Sequence, residues 1–294
     1  MRGFTAILLS ISLVSLCHAL EVCLPPGAPA RQLQEYDGVE LFFADMGVGF
    51  DRSFNCTRIE IRSRAGVLSP EDLLPSPERE VEQILSLVGD AENVALVYRA
   101  DLGYLAEPIL DRLKTKDVLR FVYSYERGKR NFTDILRPLV ELKDLQRERI
   151  DLVIFLGSYR EAILVMPFFR IFKPFPRVVS TWRIYDPLMF AYRSFMRTVK
   201  YYEWFPSWLP VIHIRGFVIR YLKRYHRLPS RFAALGYDAA NLVYAALRDE
   251  KSIRETEIIG VTGIRRMGEG GEPERVYYLV DVGKLSGMLP PPAY

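Results

Sequence analysis

The chain has 294 residues, of which 49% are hydrophobic and 26% are charged. This is ordinary globular composition, and the length is enough for one large domain or two lobes. The formal net charge of +4 is small for this length, so the chain lacks the excess of positive charge that binding to nucleic acid would require.

The first 19 residues differ in character from the rest of the chain. Arg2 precedes an apolar run over residues 4–16, and small residues follow the run. This pattern predicts a secretory signal peptide cleaved after Ala19, because the run is too short to span a bilayer comfortably. The alternative is a lipoprotein acylated at Cys17, which the bulky Leu16 disfavours. Both alternatives predict export, and we expect a periplasmic protein.

Two cysteines, Cys23 and Cys56, remain once the signal peptide is removed. An oxidising compartment favours pairing them. The surrounding segments LEVCLPP and CTRIEIRS have the pattern of strands, and neighbouring strands could bring the sulfurs within bonding distance. We therefore expect a disulfide, with two separate buried thiols as the alternative.

Short apolar runs alternate with helical stretches between residues 93 and 182. The predicted strands are NVALVYR, VLRFVYSY, DLVIFLG and RVVSTW, and the helices between them begin near residues 105, 133 and 158. Such alternation predicts a right-handed α/β layer with a parallel sheet.

In sheets of this kind, ligands meet the loops that follow the carboxyl ends of the strands. These loops carry four side chains suited to stacking on, or hydrogen bonding to, a small polar ligand: Tyr104, Ser158, Tyr159 and Trp182. We predict that they bind the ligand from loop positions. The alternative is that the loop aromatics only cover the strand ends.

Beyond residue 186 the alternation stops. YYEWFPSWLP is aromatic and interrupted by two prolines, which predicts an irregular packed connection.

Residues 211–226 have an apolar stripe at helical spacing, with cations on the opposite side. We interpret this segment as an ordinary surface helix; the alternative is a helix that binds anionic membranes. FAALGYDAANLVYAAL predicts a helix whose small residues allow close approach to a neighbour, and the tail predicts a strand, a glycine-rich turn and a strand.

Several of these segments together resemble a known family. FAALGYDAANLVYAAL, then GVTG, then ERVYYLVDVGKL are similar to the C-terminal part of the type I periplasmic binding proteins, the receptors that deliver branched-chain amino acids, amides and related solutes to ABC importers. NVALVYRADLGY and DLVIFLGSYREA resemble strands and helices of the second lobe of that family. The match covers about residues 90–285.

The resemblance implies two α/β lobes with parallel, Rossmann-like sheets and a ligand held between the lobes. We expect a first lobe from residues 20–92 and 184–265, and a second from 93–183 and 266–294. The first lobe departs from the family, because PSPEREVEQILSLVG leads directly into the second lobe where further βα units are expected. The first lobe is therefore predicted to be reduced.

The supply of catalytic and metal-binding residues is poor. Only His213 and His226 remain after signal removal, and the two cysteines are expected to be bonded, so no metal site is predicted. There is no G-x-S-x-G motif, and no cofactor is expected. An enzyme is the least supported class.

Two functions from different classes remain. The first is a solute-binding protein of an ABC importer, whose partners are a small ligand such as an amino acid or amide and an ABC permease. The second is a protein-interaction module on the same fold, of the kind that activates a peptidoglycan synthase. The shortened first lobe favours the second function, and the intact motifs elsewhere favour the first.

Overall fold

The structure is a computed structural model that describes residues 20–146, 149–186, 189, 196–208 and 211–285. The predicted signal peptide and the alternative acylation site at Cys17 lie outside these residues. Within the described part of the chain, no helix is long and apolar enough to cross a membrane. The chain divides into two compact units, the first from residues 1–75 and 204–277 and the second from 76–203 and 278–294.

The strands and helices are numbered in chain order. The strands are β1 (Leu20–Cys23), β2 (Asp51–Ser53), β3 (Glu60–Ser63), β4 (Gly66–Leu68), β5 (Val94–Arg99), β6 (Leu119–Tyr125), β7 (Leu152–Leu156), β8 (Arg177–Ser180), β9 (Val199–Glu203), β10 (Ile264–Met267), β11 (Pro273–Arg275) and β12 (Tyr278–Asp281). The helices are α1 (Ala30–Met46), α2 (Pro77–Val88), α3 (Gly103–Thr115), α4 (Leu136–Gln146), α5 (Tyr159–Val165), α6 (Ile212–Tyr225), α7 (Arg231–Arg248) and the short α8 (Val282–Leu285).

A mixed sheet in the order β2-β1-β3-β4 forms the first unit's centre. Strand β2 runs parallel to β1, and β3 is antiparallel to both β1 and β4. Helix α7 packs against β3 and β4, and α1 packs along α7. The register places three apolar residues on one buried face: Val22, Ile61 and Leu68.

The other face of this sheet is polar. Glu21, Arg62 and Val67 are cross-strand neighbours there, and the Val67 side chain is 56% exposed. The Arg62 guanidinium donates to Glu21 at 3.0 Å and to Glu60 at 2.8 Å, and the Ser53 hydroxyl also donates to Glu21. A sheet with one apolar and one ionic face needs helices on one side only. The first unit is thus a two-layer structure, smaller than a doubly wound α/β lobe.

Helices α1 and α7 approach each other until their backbones touch. A Cβ atom built on Gly236 would lie 1.9 Å from the Glu35 carbonyl oxygen, and one built on Gly38 would lie 1.8 Å from that of Ala233. Ala239 and Ala240, in the middle of α7, are fully buried. The small residues of FAALGYDAANLVYAAL therefore form a closely packed contact between two helices, as the sequence predicts.

Cys23 and Cys56 are bonded to each other in the first unit, with Cα atoms 6.2 Å apart. Cys23 ends β1, and Cys56 lies in the segment between β2 and β3. The bond closes a loop with a sequence separation of 33 residues.

We expect reduction of this disulfide to lower the free energy of unfolding by about 2–4 kcal/mol, because the bond restricts the unfolded chain. The measurement is urea unfolding with and without reductant. A Cys17→Ser variant, denatured without reduction, provides the chemical check with a thiol-labelling reagent. Labelling of two thiols in that variant would show that the bond does not form.

The second unit contains a six-stranded sheet in the order β12-β9-β8-β7-β5-β6. Strands β5 to β9 are mutually parallel, and β12 pairs antiparallel with β9. The four strands predicted between residues 93 and 182 are confirmed as β5 to β8, with helices α3, α4 and α5 between them. Strand β9 includes residues 201–203, for which the sequence predicts an irregular connection; that expectation is wrong over those three residues.

The divisions between the units differ from those expected from the sequence. Helix α2, expected in the first lobe, places Val81, Ile84 and Val88 in one apolar core with α3 and the six-stranded sheet. Strand β9, also expected in the first lobe, belongs to that sheet, whereas the β10–β11 hairpin, expected in the second lobe, lies in the first unit. The crossings therefore fall after residues 75, 203 and 277 rather than after 92, 183 and 265.

Candidate functional site

The order of strands in the second unit creates a crevice at one edge of its sheet. From β5 the chain moves outward to β6, then returns past β5 to β7 and continues to β8 and β9. Right-handed crossovers that reverse direction place their helices on opposite faces of the sheet. The carboxyl ends of β5 and β7 therefore border the switch point, which is where open α/β sheets bind ligands.

A carboxylate and a guanidinium meet at this switch point. Arg99 is the last residue of β5, and Glu161 lies in the first turn of α5, just after β7. The Arg99 Nη1 atom is 3.4 Å from the Glu161 Oε2 atom, and its Nε atom donates to the Asp101 carboxylate at 2.5 Å. The Arg99 and Glu161 side chains are 17% and 10% exposed, so water screens the pair only partly.

Ser158 fixes the position of Glu161. The backbone N–H and the hydroxyl of Ser158 both donate to Glu161 Oε2, at 2.7 and 2.8 Å. Ser158 precedes α5, and this pairing between a helix cap and the third helical residue is a capping box. All three donors hydrogen-bond to Oε2, and within the described ranges none of these contacts uses Oε1.

Tyr125, the last residue of β6, is buried beside Glu161. Its ring stacks on Phe155 at 6.4 Å and meets Phe132 edge-on at 5.1 Å. Burial and the neighbouring Glu161 carboxylate raise the pKa of the Tyr125 hydroxyl, while the Arg99 charge lowers it. Gly157 is required here, because a Cβ atom at that position would lie 2.3 Å from the Tyr125 hydroxyl oxygen.

A second polar group follows β8. The Arg183 guanidinium lies 4.3 Å from the centre of the Trp182 ring and donates to the buried carboxylate of Glu80 at 2.7 Å. Burial raises the pKa of the Tyr104 hydroxyl, and the charge of Arg183 lowers it. Arg183 thus connects the segment after β8 with helix α2.

The four side chains predicted to bind a ligand all follow strands of this sheet, but they differ in accessibility. Tyr104 is 47% exposed, and Ser158 is half-buried. Tyr159 and Trp182 are only 3% and 7% exposed. Tyr104 is the second residue of α3, Tyr159 is the first residue of α5, and Trp182 begins a 3-10 turn, so the expectation that these three lie in loops is wrong.

Sequence reasoning missed Arg99 and Glu161. The spacing of Ser158 and Glu161 is the S-x-x-E pattern of a capping box, which could have drawn attention to the glutamate. No local pattern indicates Arg99, since its partner Glu161 lies 62 residues later in the chain.

No protein-family model matches this sequence, and no curated protein matches it. Several solved structures, in contrast, are similar to this chain. A putative branched-chain amino acid ABC transporter protein from Rhodospirillum rubrum aligns with a TM-score of 0.57 and 20% identity over 70% of this chain, which spans 63% of that protein.

Two ligand complexes are also similar. The branched-chain amino acid transporter substrate-binding protein LivJ from Streptococcus pneumoniae, in complex with isoleucine, gives a TM-score of 0.56 at 15% identity and covers 88% of this chain and 94% of its own. A solute-binding protein from R. palustris in complex with benzoate gives 0.54 at 13% identity, over 88% and 91%. At these identities the likeness establishes the fold alone: the chain has the α/β fold of the type I periplasmic binding proteins.

Proposed function

We propose that this protein is an exported solute-binding protein, and that the carboxyl edge of its six-stranded sheet binds a small polar ligand. The observation that carries the proposal is the partly buried Arg99–Glu161 pair at the switch point, in which Arg99 and Ser158 donate to the same carboxylate oxygen of Glu161. The half-exposed Tyr104 ring lies on the segment that follows the same strand, β5.

The chemistry of the site favours a ligand with both a hydrogen-bond donor and a negatively charged or polar acceptor. Glu161 Oε1 accepts a donor such as an ammonium or an amide N–H, and the guanidinium groups of Arg99 and Arg183 attract an acceptor. Tyr104, Ser158, Tyr159 and Trp182 remain our proposed ligand-binding residues, with the two buried rings shaping the site. The isoleucine complex of one similar structure supports an amino acid or a related amide, and the benzoate complex of another supports a carboxylate as the acceptor.

The rest of the assignment follows from this role. We propose that residues 1–19 direct export to the periplasm, that the two units act as the two lobes of a binding protein, and that an ABC permease receives the ligand. The occurrence of the fold in transporter receptors supports these proposals.

One observation favours the alternative, a protein-interaction module without transport. Among the described residues, the sheet of the first unit has four strands with helices packed on its apolar face, and its second face is an ionic surface centred on Arg62. A smaller first unit offers fewer groups for a ligand, whereas an exposed polar sheet face suits a protein partner.

Native mass spectrometry of the protein, purified gently from the periplasm, tests the proposal. We expect a stoichiometric adduct with the mass of a small polar solute. A thermal-shift screen of amino acids, amides and short-chain carboxylates, including isoleucine and benzoate, identifies candidates independently. No adduct and no stabilising solute would reject the receptor function in favour of the interaction module.

A further inference from the structure

Helix α6 of the first unit has an apolar surface on the side that does not pack. Ile214, Phe217 and Tyr221 form its buried stripe. At 100° per residue, Ile212 and Ile219 project from the opposite side of the helix. They are 86% and 43% exposed.

Further apolar residues extend this surface. Leu222, beside Ile219 on the helix, is 44% exposed, and Leu228, just after the helix, is 70% exposed. We call Ile212, Arg215, Ile219, Leu222 and Lys223 the outer face of α6. Single exposed aliphatic residues are common on protein surfaces, but three on the unpacked side of one helix are typical of an interaction site.

The helix has no acidic residue, and its cations divide into two groups. One group faces α1, where each cation meets an acid: Arg220 with Asp45 at 2.7 Å and Arg224 with Glu40 at 3.7 Å. Arg227, two residues after the helix, pairs with Asp37 in the same way. These three ion pairs attach α6 to the unit and neutralise that side of the helix.

The second group of cations lies on the outer face. Arg215 and Lys223 are exposed, and neither makes an ion pair with any residue in the described ranges. The outer face therefore combines uncompensated positive charge with exposed aliphatic side chains. Both features serve a helix that lies in the interface of an anionic bilayer: the cations bind lipid phosphates, and the aliphatic groups enter the boundary of the acyl chains.

We propose that the outer face of α6 docks the protein reversibly on an anionic phospholipid surface. The charge complementarity selects the bilayer as the partner, because the face carries cations without acids beside exposed aliphatic groups. A lipid surface needs no matching pattern of side chains, unlike a protein partner. Such docking would hold a receptor near the membrane independently of its solute site.

The test is co-sedimentation of the purified full chain with vesicles of phosphatidylglycerol and phosphatidylcholine, compared with vesicles of phosphatidylcholine alone. We expect binding to the anionic vesicles to be stronger by about tenfold or more at low salt, and to fall steeply at high salt. The double variant Arg215→Glu with Lys223→Glu should lose about tenfold in affinity, and Ile212→Ser with Ile219→Ser should lose a similar factor.

Matched controls are available in the same unit. Lys251→Glu with Arg254→Glu makes the same change of charge at exposed positions outside α6, and Ile259→Ser removes an aliphatic side chain that is 83% exposed. These variants should bind like the wild-type chain, and any contribution of residues 1–19 is common to all of them. Equal losses in the controls and the outer-face variants, or no preference for anionic vesicles, would overturn the proposal.

Discussion

Replacing Gly236 with alanine should lower the free energy of unfolding by about 3 kcal/mol or more, although alanine normally stabilises a helix interior by about 1 kcal/mol. The new Cβ atom would lie 1.9 Å from the backbone oxygen of Glu35 on the facing helix. A backbone atom cannot rotate away as a side chain can, so α1 and α7 would have to separate. Their separation would loosen the packing between the two helices.

The matched control is Gly216→Ala in α6. Its Cβ atom would meet only the end of the flexible Arg220 side chain, at 3.3 Å. We expect this variant to be neutral or slightly stabilised. Urea unfolding of both variants measures the difference. Equal midpoints for Gly236→Ala and Gly216→Ala would show that α1 and α7 are not in backbone contact.

Replacing Asp238 with alanine should destabilise the protein by about 3 kcal/mol or more, because two buried backbone N–H groups would lose their acceptor. Asp238 is fully buried in α7 and accepts from the N–H groups of Val261 and Thr262, both at 2.7 Å, and from the Thr262 hydroxyl at 2.6 Å. Burial raises the pKa of Asp238 to about 6, although the three hydrogen bonds that it accepts act to lower it. The carboxylate is therefore ionised at neutral pH.

Asp249→Ala, at the exposed end of the same helix, provides the control. Within the described ranges its carboxylate hydrogen-bonds to the neighbouring Arg248 alone, so this change should leave the unfolding midpoint unchanged. Hydrogen exchange adds a local measurement, since the amides of Val261 and Thr262 should exchange faster in Asp238→Ala. Unchanged exchange at both amides would contradict the proposed role of the carboxylate.

The Asp238 contacts give a physical reason for two of the segments that carry the family resemblance. The aspartate of GYDAAN holds the turn of GVTG, so the two motifs form one structural feature. Gly236, two residues earlier, allows the helix contact. Both requirements depend on residue types at fixed positions, which is why the sequence indicates this part of the fold.

The parallel sheet could also be predicted, because β5 and β7 are short buried runs of apolar residues. Strand β9 could not. Its residues VKYYE alternate between buried and half-buried. The aromatic, proline-containing segment that follows continues the same residue types, so the end of the strand cannot be recognised from the sequence. Its place in the sheet depends on pairing with β8 and β12, which no local pattern encodes.

The candidate site was only partly predictable for a similar reason. The sequence places Tyr104 and Ser158 after strands, and the structure agrees. Tyr159 and Trp182 were expected to be accessible because of their positions, but a residue type and a position do not fix burial. The Arg99–Glu161 pair requires the strand order of the sheet, which determines that β5 and β7 are neighbours.

Calorimetric titration tests the central claim, that the switch point binds the solute. The probe is isoleucine, or a solute with a hydrogen-bond donor that native mass spectrometry identifies, titrated into wild type, Glu161→Gln and the matched control Glu107→Gln, which alters an exposed glutamate on α3. Removing the charge of Glu161 should weaken binding by about 10- to 100-fold, the effect of one charged hydrogen bond. The control should bind like the wild type. Unchanged affinity in a folded Glu161→Gln protein would contradict the claim and place the ligand elsewhere.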